Sequence, residues 1–134
     1  MAAYITLDQI IHDAAARNLD GSAFCHYAQD HNLTLAALIN TVALHIAKTF
    51  DAGAVPYPTA DAAIDSVWSL MIDCGTLPDL AYHIYEAFDA GEFPRQDKDD
   101  PIERYTRPLI KKLIQIAAEH PPHAEGYDFD STPV

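Results

Sequence analysis

The sequence predicts an all-α protein, a compact bundle of about six helices, on three observations. Hydrophobic residues recur at spacings of three and four along most of the chain. No segment alternates with the period of two that a half-buried strand requires. Cap residues and glycine or proline stops cut the pattern into helix-sized pieces. At 134 residues the chain is long enough to bury one continuous core without disulfides or metal. Residues 1–119 are expected to form a single all-α domain, followed by an extended acidic, proline-containing tail over 120–134.

The first helix opens at Thr6-Leu7-Asp8-Gln9, a capping box, with Ile5 and Ile10 placed to staple the entry. It runs to about Asn18 and carries Leu7, Ile10, Ile11 and Ala14 on one face. Asp20 caps a short second helix through Phe24 and Tyr27, and Thr34 caps a third. Along the third, Leu35, Ile39, Val42, Ile46 and Phe50 form one buried stripe that stops at Gly53. Pro56-Tyr57-Pro58 reads as a break, so the fourth helix is expected from Thr59 or Asp61 to Cys74, burying Ile64, Val67, Trp68 and Met71. Gly75 ends it, Thr76-Leu77-Pro78-Asp79 opens a fifth, and Gly91 closes that one. Beyond the loop EFPRQDKDD, Asp100-Pro101-Ile102-Glu103 starts a last helix through Ile102, Tyr105, Leu109, Leu113 and Ile116. Pro108 either kinks this helix or splits it, with Thr106 available to cap a restart.

Two stretches nearly repeat: HIAKTFDAG from His45 to Gly53 and HIYEAFDAG from His83 to Gly91, offset by 38 residues. The match continues past the loops, pairing Asp61 with Asp99, Ile64 with Ile102 and Asp65 with Glu103. Two copies of a helical hairpin in a pseudo-symmetric bundle are expected, since a solenoid needs three or more repeats. The repeated Ile and Phe belong to buried stripes, and the glycines suit left-handed turns. The aspartates Asp51 and Asp89 do not fit so simply, because an acid in the last turn of a helix opposes its dipole. Lys48 lies one turn before Asp51, but its counterpart before Asp89 is Glu86. Bonds to amides of the following loops, or a partner, would compensate both.

Twenty acids against eight bases give a formal charge of −12, which argues against nucleic acid and anionic membranes as partners. No apolar run reaches the roughly 18 residues of a membrane span, and MAAYITLDQIIHD shows no secretory pattern, so a cytoplasmic location is expected. Cys25 and Cys74 stand alone in helical contexts and read as reduced packing residues. The chain contains no HExxH, GxGxxG, P-loop or GxSxG, so no catalytic residue and no cofactor are assigned.

Size, charge and absent chemistry point to a small acidic binding protein engaging a basic protein partner, as inhibitors and immunity proteins engage toxic nucleases. The partner surface is expected to combine Asp51, Asp89, Glu92, Phe93, Asp97, Asp99, Asp100 and Glu103. The alternative is a small metal-dependent or acid–base enzyme using His45 and His83 with nearby acids of the two hairpins. No metal is expected on the first reading.

Overall fold

In a computed structural model, residues 4–92 and 100–119 are described, and every regular element among them is helical. The order is α1 (Leu7–Ala15), α2 (Gly21–Asp30), α3 (Leu35–Asp51), α4 (Tyr57–Cys74), α5 (Asp79–Asp89), a π-helical turn (Ile102–Thr106) and α6 (Arg107–Glu119). The expected tail and the loop residues 93–99 lie outside the described residues. No single helix among the described residues is long and apolar enough to cross a membrane.

The caps form as the sequence implies. Thr6 accepts from the Gln9 amide at 3.3 Å and the Gln9 side chain accepts from the Thr6 amide at 3.2 Å, completing the capping box. Asp20 accepts from Ala23 and Thr34 from Ala37, both at 3.0 Å. Each such cap stabilises its helix by about 1 kcal/mol. The long helix α3 is the centre of the bundle, packing on α1, α2, α4, α5 and α6. Its buried stripe of Ile39, Val42, Ile46 and Phe50 meets Ile64 and Val67 of α4 and Ile84 and Phe88 of α5 in one core. Phe50 and Phe88, equivalent residues of the two near-repeats, touch edge to face at 5.2 Å.

Four expectations change. First, α4 begins at Tyr57, with Pro56 as its N-cap residue and Pro58 in the first turn. Proline is no obstacle there, because the first amides of a helix have no intrahelical acceptor. Second, Pro108 sits in the first turn of α6, directly after a π-helical turn, in place of a restart capped by Thr106. The π-helical turn absorbs it: the Arg107 amide donates to Ile102 five residues back, so the backbone loosens just where the proline lacks an amide and crowds the preceding turn. Thr106 is not a cap; its buried hydroxyl donates to the Ala87 carbonyl at 2.7 Å. The extra residue in that turn also moves the buried face one position along. Ile110 and Ala117 are buried, whereas Leu109 is 44% exposed.

Third, Gly53 and Gly75 have the left-handed φ values expected (76° and 68°), but Gly91 is not among the positive-φ glycines. Gly91 is needed for space: a methyl group there would overlap the Thr106 hydroxyl and press on the Tyr57 ring. Fourth, two residues assigned to packing stand at the surface. Trp68 is only half-buried, and Cys74 is exposed.

Candidate functional site

Tyr57, Asp61 and Asp65 follow one another on α4 at intervals of four, which places them on one face of the helix. The Tyr57 hydroxyl donates to the Phe88 carbonyl at 2.6 Å and fixes that face against the end of α5. Asp89 and Glu92 emerge there. One carboxylate oxygen from each of Asp61, Asp65 and Glu92 lies within 4.8 Å of the other two. Glu92 lies beside both Asp61 and Asp89, and carboxylates so close together disfavour full ionisation of the group. Arg17, in the left-handed region at φ 60° just after α1, approaches Asp65 at 3.8 Å.

Burial is the main reason these acids resist ionisation. The Asp61 carboxyl is pushed up to about 6 by burial and then by the charge of Asp65. Glu92 is pushed up to about 7 by burial and by its hydrogen bond with Asp89. Asp65 is raised by burial, partly offset by the Arg17 charge. The Tyr57 hydroxyl is pushed well above its ordinary range by burial and by Asp61. Within this crowd Asp61 Oδ1 is buried and has no hydrogen-bond partner. A buried oxygen in that condition has lost its water without compensation. A cation entering the cluster would supply the missing partner and let the retained protons leave.

Of the acids that the sequence assigned to a partner surface, Asp89 and Glu92 belong to this cluster. Asp51 does not: its Oδ1 is held by Lys111 at 3.0 Å and Arg107 at 3.5 Å, both from α6. Those bases, rather than amides of the following loop, offset its position at the end of α3. Glu103 pairs with Arg107 at 2.8 Å, and the Asp100 carboxylate accepts from the Glu103 amide at 3.3 Å. Phe93, Asp97 and Asp99 lie outside the described residues. The two histidines go elsewhere. His45 faces Asp8 of α1 at 3.7 Å, and His83 faces Glu86 on its own helix at 3.4 Å.

Asp61 and Asp65 were not singled out from sequence as site residues. Their signal was present: two acids one turn apart on a helix without a single Lys or Arg, and α5 lacks both residue types as well. What the sequence does not encode locally is the approach of Glu92 from the far end of α5. On the Arg17 side of Asp65 lies a cleft of about 450 Å³, bordered by Ser22, Cys25, Ser66, Asp73 and Cys74. Both cysteines are free and share this cleft, so they are not isolated in space. Partial loss of solvent at the cleft, then the neighbouring Cys25 and Asp73, raise the Cys74 thiol although most of it stays exposed.

Comparison with known proteins found no matching family model, no matching curated protein and no matching solved structure.

Proposed function

We propose that this chain is a binding protein of the inhibitor or immunity type that engages a basic protein partner, with Asp61, Asp65, Asp89 and Glu92 at the centre of the contact. The observation that carries the reading is the carboxylate cluster itself: protons held to near neutrality and a buried Asp61 oxygen without a partner. A partner ammonium or guanidinium placed among these oxygens would discharge both defects at once. The formal charge of −12 supports it by steering a basic protein toward the surface. Asp100 and Glu103 are proposed as further contact residues for the same partner. Asp51 contributes least, because α6 already neutralises it.

A second reading has its own observation. Three carboxylate oxygens within 4.8 Å of one another suit a hard divalent cation, which takes oxygen ligands at about 2.0–2.6 Å. One experiment separates the two. The chain is immobilised, exposed to lysate of its own cell at low and moderate salt, and compared with the triple variant Asp61→Asn, Asp65→Asn, Glu92→Gln. A basic protein retained by the wild type and lost by the triple variant is the expected result. Capture that ignores the triple substitution overturns the proposal. One equivalent of Ca²⁺ or Mn²⁺ bound by calorimetry, with no protein retained, transfers the site to the second reading.

A further inference from the structure

The carboxylates occupy one end of a longer surface stripe. On α4 the residues Asp61, Asp65, Trp68 and Ile72 are spaced by four, three and four, and so lie along one face. On α5, Tyr82, Tyr85 and Asp89 are spaced by three and four, with Glu92 just beyond. The two rows meet. Trp68 stacks on Tyr85 with ring centroids 4.4 Å apart and planes inclined by 8°, and it lies 5.9 Å from Tyr82. The surface that α4 and α5 share therefore changes character along its length, from carboxylates to stacked aromatics. Beyond them stand the aliphatic side chains of Ile72, 53% exposed, and Leu77, 51% exposed. Tyr82 is 36% exposed. Apolar side chains gathered in one region of a surface, next to concentrated charge of one sign, are the usual makings of an interface.

The Tyr85 hydroxyl is raised by burial and then by the charges of Asp89, Asp65, Glu92 and Asp61. The aromatic and acidic ends are thus within electrostatic reach of each other. A flat cation can use both. Guanidinium lies against an aromatic face and donates in pairs to carboxylates, whereas ammonium is a compact, strongly hydrated charge.

We propose that this α4–α5 face is the docking surface for a partner segment that places arginine among Asp61, Asp65 and Glu92 and apolar side chains over Trp68, Tyr82 and Ile72. This rests on the basic-partner reading and specifies its occupant. Charge complementarity selects arginine for one end, and the exposed rings and aliphatics select apolar side chains for the other.

Trp68 is the chain's sole tryptophan, so its emission reports on this face. The probes are three synthetic twelve-residue peptides without tryptophan, titrated into the full chain. One carries two arginines at one end and leucines at the other; the second has lysine for arginine; the third has serine for leucine. Expected is a saturable change in Trp68 emission with the first peptide, protection from acrylamide quenching, and binding about five- to tenfold tighter than either control. Ile72→Ser and Tyr82→Ala should each weaken the first peptide several-fold while leaving its salt dependence intact.

Equal binding of all three peptides, dependent on Asp61 and Asp65 but silent at Trp68, overturns this docking face and leaves the basic-partner reading standing. Preference for lysine overturns the arginine assignment. Trp68 emission already protected in the free chain and unmoved by every peptide shows that the chain covers this face itself, which also overturns the proposal. Absence of any peptide binding does the same, and the capture experiment then decides separately whether a basic protein is bound at all.

Discussion

At the end of α3, Asp51 sits between Arg107 and Lys111 of α6; at the end of α5, Asp89 sits with Asp61, Asp65 and Glu92. The nine residues leading to each end are nearly the same. Their phenylalanines share one role, meeting edge to face in the core. Their glycines do not. Gly53 turns the chain through a left-handed φ with open space around the position of a Cβ, while Gly91 makes room for Thr106 and Tyr57. Similar local sequence thus gives similar helix ends, and the neighbours that tertiary packing brings to each end decide what its acid and glycine do. One end is neutralised internally. The other keeps its negative charge concentrated.

The largest expected effect lies at the glycines. Gly91→Ala should destabilise the protein by about 1–3 kcal/mol in urea unfolding, through overpacking against Thr106. Gly53→Ala should cost about 1–2 kcal/mol through backbone strain alone. The comparison sharpens in the double variants: Thr106→Ala should recover part of the Gly91→Ala loss and none of the Gly53→Ala loss. Equal, strictly additive behaviour at both sites would break the distinction between space and strain.

The acids should differ in sign. Asp51→Asn is expected to destabilise by about 0.5–1 kcal/mol, because it leaves Lys111 and part of the Arg107 interaction uncompensated. Asp89→Asn is expected to stabilise by a few tenths of a kcal/mol near pH 7.5, since it removes an unfavourable charge from a helix end and from the cluster. Both effects should shrink in high salt. The same sign at both positions would mean that the two ends are electrostatically alike after all.

The smallest effect is a slope with pH. Asp61 and Glu92 are pushed up to about 6 and about 7 in the folded chain, from ordinary values near 4. Between those limits the folded state binds more protons than the unfolded one, so these groups make stability fall as pH rises from about 4 to 7. Discounted for the solvent that screens half-exposed groups, the fall should be on the order of one or two degrees in Tm. Glu92→Gln should flatten it, and an unchanged slope in that variant would detach Glu92 from the cluster.

Most of the fold was legible because its signals are local. Thr6, Asp20 and Thr34 cap through residues three positions away, and the buried stripes of α1, α3 and α5 follow from spacing alone. The register of the last helix was not legible. A single extra residue in the π turn replaces Leu109 by Ile110 on the buried face, and that insertion depends on how the backbone meets Pro108 and on the partner Thr106 finds in Ala87. Half of the candidate cluster was visible as Asp89 and Glu92. The other half, Asp61 and Asp65, gains its meaning only from the Tyr57 bond that carries α4 to the end of α5.

That bond and the one from Thr106 close two carbonyls in the last turn of α5, Phe88 and Ala87, with side chains from elsewhere in the chain. Helix termini ordinarily fray, because their last carbonyls hold only water. Here, letting go of the end of α5 means breaking a half-buried bond to α4 and a buried one to the π turn, so amide exchange at Ala90 and Gly91 should follow global unfolding rather than local opening. Glu92 is anchored one residue beyond this closed end. Its backbone is therefore held in place before any cation arrives, and binding there spends less of its free energy on ordering the receptor.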